Sequence, residues 1–389
     1  MKPMERMERM KRLVLLLVMT FLICEPAAAY QQIWKDGKLA SVSEGNASVF
    51  RLSSSGKHTP SLIVSKIQPI SFASNFLKIR LRAENVTPLA GIEVRAYSGA
   101  KLADFFYWTV PIYEDPSFNL LQGGEWLNFT VSLGNAKQKG HPDATKISQI
   151  GLWVIDKGKS PVVLDAMLPQ LLPKPNAGVV SLTFDDGYQE QFSLAANTMA
   201  GLHMPGTAYV MPDQIGTPHY LSIDNLKDMK KYGWEIAAHH ALPFTEIADL
   251  PAEIVKIQDF LRPFGDGREH LAYPLGKQTP PIRKLVNEKF LTARIAGAGP
   301  ETLPPCDWHL LRAVNVVHGN SVDELMRYVK MATDDKMWVI FMFHHLSDAQ
   351  TEDTYYPPGK FVEFLGRLKT SGVQVETVAE IYNKYHIEK

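Results

Sequence analysis

Between Tyr30 and Leu172, apolar residues recur at every second position. In Phe76–Glu84, Leu77, Ile79 and Leu81 alternate with Lys78, Arg80 and Arg82. In Trp126–Leu133, Leu127, Phe129, Val131 and Leu133 alternate with Asn128, Thr130 and Ser132. A period of two gives each strand one buried face and one wet face, as in antiparallel sheets. SLIVSKI, GIEVRAYS, FFYWTVPI, QIGLWVID and PVVLDAML read as further short strands, divided by Gly, Pro, Asn and Ser. Many short strands with turn residues between them predict an all-β sandwich of jelly-roll type over residues 30–172.

The grammar changes after a Pro-rich break at Gln170–Gly178. VVSLTF is a continuous apolar strand, and YQEQFSLAANTMAGL after it has helical spacing. Strands TAYVMP, WEIAAH, HLAYP, TARIA, MWVIFMFHH and VQVETV then alternate with amphipathic stretches such as SIDNLKDMKKYG and SVDELMRYVKMA. Strands alternating with helices predict βαβ units and a parallel sheet. About seven such units favour an α/β barrel over an open sheet, with its chemistry where strands end. The expected organisation is a leader at 1–29, a sandwich domain at 30–172 and a barrel domain at 178–389.

The composition alters this picture little. The chain has 389 residues with 41 basic and 41 acidic side chains, hence no formal net charge. No basic surplus points to a nucleic-acid partner. The N-terminus says more. Lys2, Arg6, Arg9, Lys11 and Arg12 precede the apolar run Leu13–Cys24, and EPAAAYQQ offers a small-residue cleavage site after Ala29. That is the form of a secretory signal peptide. The run is shorter than the roughly 20 residues a spanning helix needs, so no stable membrane span is expected after its removal, and an uncut anchor is the alternative. The expected location is secreted, periplasmic or at the cell envelope. Loss of the leader removes Cys24 and leaves Cys306 alone, without an intrachain disulfide partner or an assigned role.

Candidate chemistry gathers at the strand ends. The first barrel strand ends in Asp185 and Asp186, followed by Gly187. An acidic helix N-terminus would account for one carboxylate, whereas a bound cation would account for both. Another strand ends in His239 and His240, and a late one in His344 and His345. Carboxylates and imidazoles at several strand ends of one barrel point to a metal-assisted hydrolase.

SLTFDDGY, GWEIAAHH, AYPLGK and FMFHHL, in this order, resemble the polysaccharide deacetylase family with its NodB-homology barrel, a carbohydrate esterase family 4-like domain. The resemblance spans roughly Val179–Tyr385 and implies a distorted (β/α)7-type barrel. It also implies a metal-dependent hydrolase removing N-acetyl or other acyl groups from a polysaccharide containing N-acetylhexosamine. The implied cofactor is a divalent metal, Zn2+ with Co2+ or Ni2+ as alternatives. By this resemblance Asp185 is the general base, Asp186 and His239 are metal ligands, the Leu275 amide binds the oxyanion, and His344 protonates the leaving amine.

The sequence departs from the family at two points. Four residues after His239, where the family has a second histidine ligand, stands Pro243, which has no donor atom. His240 is a poor substitute, because adjacent side chains on an extended strand end point to opposite sides. His219 and His309 are open as third ligands. The family's Arg before the third-motif proline is also missing. Arg294 is a candidate to hydrogen-bond Asp185 in its place, with a surface salt bridge as the alternative. Two functional readings remain: a working deacetylase, or a decayed barrel that binds glycan or scaffolds a polysaccharide assembly. For the sandwich, Tyr107 and Trp108 are candidates to stack on sugar rings or to lie in the core.

Overall fold

The computed structural model describes residues 30–34, 37–45, 47–99, 101–349 and 353–386. The expected signal peptide lies outside them. The chain divides into two compact units between Lys174 and Pro175. No helix among the described residues is long and apolar enough to cross a membrane.

The first unit is the expected antiparallel sandwich. One sheet runs in the order Tyr30–Trp34, Ser61–Ile70, Ile147–Asp156, Leu89–Tyr97, Phe105–Val110, Lys137–Lys139. The other runs Gln170–Pro173, Asn75–Ala83, Val163–Ala166, Ala47–Ser53, Lys38–Glu44, with Leu127–Val131 also paired to Asn75–Ala83. The period of two sets the core. Leu77, Ile79 and Leu81 are buried from one sheet, and Ile92, Val94 and Val154 from the other. Trp108 belongs to this core, its indole N–H donating to the Ser132 carbonyl at 2.8 Å. It therefore offers no face to a sugar. Tyr107, one position earlier, lies on the opposite face of the strand. Gln170–Pro173, read from sequence as the start of a break, is instead a strand in register with Asn75–Lys78. Proline is tolerated there because Pro173 closes the strand, where no further ladder donor is needed.

The second unit is a closed parallel barrel. Its strands are β1 (Val179–Asp186), β2 (Thr207–Val210), β3 (Glu235–Ala238), β4 (His270–Ala272), β5 (Thr292–Ala298), β6 (Leu311–Asn315) and β7 (Trp338–Phe343). They neighbour one another in chain order, and β1 pairs with both β7 and β2 to close the ring. The C-terminal half of β1, from Thr183, carries the pairing with β2. Val179 and Val180 pair instead with a short eighth strand, β8 (Gln374–Val375). This wedge distorts the seven-stranded ring.

β1 is buried almost throughout because it has helices outside and the barrel interior within. Outside, Phe184 stacks on Phe343 at 5.4 Å between ring centres and meets Phe361 of the helix Pro358–Ser371. The helices are α1 (Asn197–Gly201), α2 (Ile223–Lys231), α3 (Leu250–Leu261), α4 (Pro280–Lys289), α5 (Val322–Asp335), α6 (Pro358–Ser371) and α7 (Val378–Tyr385). Three begin with capping boxes, at Ser222, Ser321 and Thr377, which satisfy backbone donors at the helix start. The helical stretch after β1 opens as a π-helix, Gln191–Ala196, before tightening into α1. π-turns of this kind concentrate at functional sites.

Candidate active site

Two adjacent carboxylates on an ideal strand would face opposite ways. The chain avoids this by leaving the strand conformation at the second of them. Asp186 has φ of +73° and Gly187 of +83°. Asp tolerates the left-handed region better than most side chains, and Gly does so without cost. Asp185 remains in the barrel interior while the turn brings Asp186 to the same end.

Asp185 is held by Arg294 of β5, which donates to both of its oxygens, to Oδ2 at 2.5 Å. Both side chains are almost fully buried. The guanidinium also lies 5.0 Å from the Tyr209 ring centre. Arg294 therefore makes no surface salt bridge. Its fork matches a carboxylate in a way that Lys cannot. His344, just past β7, places Nε2 3.9 Å from Asp185 Oδ2. Its buried Nδ1 has no hydrogen-bond partner among the described residues. Burial pushes the His344 pKa down, against the upward pull of Asp185 and Asp186.

His239, just past β3, places Nε2 3.3 Å from Asp186 Oδ1. Its Nδ1 lies 2.8 Å from the Ala272 carbonyl, which can only accept, so Nδ1 carries a proton and Nε2 faces the carboxylate. Burial works against a charge on His239, but the Asp186 hydrogen bond and the two aspartate charges outweigh it and hold its pKa above the usual value. Burial likewise opposes ionisation of Asp186, and His239 outweighs it to bring that pKa down.

The donor set fits a divalent metal in part. Two donors each about 2.1 Å from a tetrahedral ion stand roughly 3.4 Å apart, close to the separation of Asp186 and His239. The backbone carbonyl behind Nδ1 is the outer support that metal-binding histidines use. No third protein donor joins them in the sequence-expected position. Pro243 caps the turn Phe244–Glu246 instead. His240 turns away, its Nε2 3.7 Å from Glu253 Oε1. With Asp213 it forms a separate group whose donor atoms lie within 4.8 Å of one another. His219 is solvent-exposed. His309 sits near the opposite end of the strands, its Nε2 on the Phe290 carbonyl. Cys306 lies there too, with Sγ 4.0 Å from Glu301 of the buried Glu301–Arg312 pair.

Leu275 lies in the tight turn after β4, with φ of +55° and its side chain 62% exposed. Gly276 follows with φ of +73°, and a Cβ there would stand 2.7 Å from the Ala296 nitrogen. The turn can therefore press against β5 only with glycine at this position.

Two further features escaped sequence reasoning. Gln191, fully buried at the start of the π-helix, donates through its side-chain amide to the Asp185 carbonyl at 2.5 Å and the His344 carbonyl at 3.2 Å. Its targets are backbone atoms, so no side-chain pattern announces it. His345 lies between Tyr188 and Tyr355, with ring centres 3.4 and 4.2 Å away, and its Nδ1 meets Glu190 at 2.6 Å. The doubled histidine was visible in the sequence, but its stacking partners were not.

Comparison with known proteins agrees with the motif reading. The family model for polysaccharide deacetylase matches residues 173–293. YxkH of Bacillus subtilis (strain 168), a protein whose name places it with the polysaccharide deacetylases, is 31% identical over 90 residues, which are 22% of this chain. The match spans about a third, 32%, of that relative's length. Among solved structures, the peptidoglycan deacetylase PdaC from Bacillus subtilis is similar at 18% identity and TM-score 0.38, covering 54% of this chain and 92% of that one. A family 4 acetyl xylan esterase from Clostridium thermocellum, in complex with a cobalt ion, gives 18% identity and TM-score 0.38, covering 53% and 90%. The family-model match falls on the first part of the barrel unit, from the approach to β1 as far as the start of β5.

Proposed function

We propose that the protein is a metal-dependent hydrolase that removes N-acetyl groups from a polysaccharide outside the cytoplasm, at the cell envelope or beyond. The observation that carries this reading is the joining of two pairs at one barrel end: Asp185 clamped by Arg294 beside His344, and Asp186 beside His239. The leader-like N-terminus supports the location.

Asp186 and His239 would hold the metal, with water or substrate completing its coordination. When bound, such an ion polarises the acyl carbonyl and makes water acidic enough to attack near neutral pH. Asp185 is the base that takes the water's proton. Arg294 fixes its orientation, and a carboxylate has lone pairs left over after a bidentate contact. The Leu275 amide is the oxyanion donor. Burial favours a neutral His344 at pH 7, so the proton it gives to the leaving amine has first to arrive. Asp185, 3.9 Å away, is placed to supply it. In this account the acid and base share one proton: it leaves the water through Asp185 and reaches the amine through His344.

The test is acetate release from N-acetylglucosamine oligomers and from several acetylated polymers, with added Zn2+, Co2+ or Ni2+, set against Asp185→Asn. Metal-dependent release that the variant abolishes is expected. Pro243 supports a second reading, in which the barrel binds glycan without cleaving it. Glycan binding with no release above the variant on any substrate would establish that reading and remove the first.

A further inference from the structure

Two adjacent histidines follow β7, and the proposed chemistry uses only the first of them. On extended backbone neighbouring side chains face opposite ways. His344 turns toward Asp185, with Nε2 3.9 Å from Oδ2, whereas His345 meets the segment that follows β1. It does so at two points. Its ring centre lies 3.4 Å from that of Tyr188, with 25° between the planes, and its Nδ1 stands 2.6 Å from Glu190 Oε1. Behind it the Tyr355 ring is 4.2 Å away and almost parallel, at 10°. His345 and Leu346 pair with Tyr355 and Tyr356 as short strands, so the backbone also holds the second tyrosine in place.

The segment held in this way carries the carboxylate on the metal side. Asp186 and Gly187 both have positive φ, +73° and +83°. A non-glycine residue in that region persists where its surroundings over-determine it. Part of the constraint is backbone: the Leu221 N–H donates to the Gly187 carbonyl at 2.9 Å, and the Gln189 N–H to the His219 carbonyl at 2.9 Å. Tyr188 supplies another part. Its ring stacks on Tyr220 at 5.2 Å as well as on His345, and its side chain hydrogen-bonds to Asp186. Contacts therefore run from His345 through Tyr188 to Asp186, while the neighbouring His344 serves Asp185.

His345 itself is poorly placed for chemistry. Tyrosines cover both faces of its ring, and Nδ1 is engaged by Glu190. Stacking of this kind depends on a flat ring and its contact area. A role exerted through the stack follows from this geometry.

We propose that His345 is a positioning residue: stacked between Tyr188 and Tyr355, it sets the Asp186 turn so that Asp186 and His239 together receive a metal ion beside His344. The proposal rests on the assignment of Asp186 and His239 as the metal-holding pair in the hydrolase reading above.

Zinc affinity of the full chain, measured by competition with a chromophoric chelator, tests this. The binding that His239→Gln removes is the binding that belongs to this pair. His345→Ala takes away both the ring and the Glu190 contact, and should weaken that binding by about 10- to 100-fold, as loss of a group supporting a metal ligand does. His345→Phe keeps a flat ring and should restore most of the affinity. His345→Gln keeps a donor for Glu190 without a ring, and should behave as His345→Ala. The melting temperature of the metal-free chain separates positioning from folding. A role in folding alone would lower it in His345→Ala while the folded protein kept its wild-type zinc affinity, and that result would overturn the proposal. So would a loss in His345→Phe equal to that in His345→Ala, or wild-type zinc affinity in His239→Gln. Zinc binding that follows the expected order, without acetate release from any substrate, would uphold the positioning role and remove the hydrolase reading.

Discussion

At the scale of single residues, Arg294 and His239 carry the sharpest expectations. Arg294→Met would leave Asp185 buried beside no cation. Removing one partner of a buried pair costs about 3–5 kcal/mol, to be measured by urea unfolding. Even small displacement of a catalytic group costs on the order of 100-fold in rate, so kcat for acetate release should fall by at least that much. Arg294→Lys should rescue part of the stability and little of the rate, because the two-pronged geometry is lost.

His239 gives a pH signature. Its pKa is raised in the folded, metal-free chain. Its contribution to stability is therefore complete below the ordinary histidine value, about 6.5, and is lost as pH rises through the raised folded value. Denaturation of metal-free protein across this window should show a decline in wild type that His239→Gln lacks. Zinc affinity should run the other way and fall as pH drops, because the proton and the metal compete for Nε2.

The two residues also mark what a sequence displays. The aspartate pair stood out because an apolar strand ending in two acids is conspicuous. Arg294 was legible only as one of two readings, a partner of Asp185 or a surface ion pair, because it sits 109 positions away and only the closed ring brings β5 across from β1.

At the scale of elements, the strands were legible from their periods, and the exceptions have local causes. Gln170–Pro173 looked like part of a break because of Pro173 and the nearby Pro175, yet the sheet accepts Pro173 at a strand end. The stretch after β1 has helical spacing, but one turn of it is wound wider. That turn positions Gln191 to reach two backbone carbonyls, one on each side of the proposed proton route. Gln191→Leu fills the space and removes both bonds. Stranding buried polar partners costs about 1–3 kcal/mol. Denaturation should register that loss, and kcat should drop more than KM changes, since the variant disturbs alignment and leaves the substrate surface alone. A purely structural role would instead leave kcat intact in the folded fraction.

At the scale of the whole molecule, the two-part organisation was visible as a switch from period-two strands to alternating strands and helices. The strand at the barrel's seam was read in VQVETV, but its pairing with only the first two residues of β1 was not, because two residues have no period that fixes a partner. Metal binding should act on the fold as a unit. A ligand at 100 times its Kd stabilises the native state by about 2.7 kcal/mol. Excess zinc should therefore raise the melting temperature of the barrel transition in a calorimetric scan, and Asp186→Ala should abolish the rise. A rise that persists in Asp186→Ala would assign the ion to other donors, with Asp213, His240 and Glu253 the first to examine.

The wedge has a consequence for timing. Val179 and Val180, which open the barrel, find their second neighbour only in Gln374 and Val375. Ser181 then donates to the Glu376 carbonyl at 2.7 Å, and the Glu376 amide reaches Val180 at 3.0 Å. Nearly two hundred residues must emerge from the ribosome before that edge is covered. Until then the first barrel strand keeps a raw hydrogen-bonding edge, the kind of surface that recruits stray strands. A chain stopped before Gln374 should aggregate through this edge even though every proposed catalytic group is present. Completion of the barrel's seam thus waits on the segment that holds Gln374 and Val375.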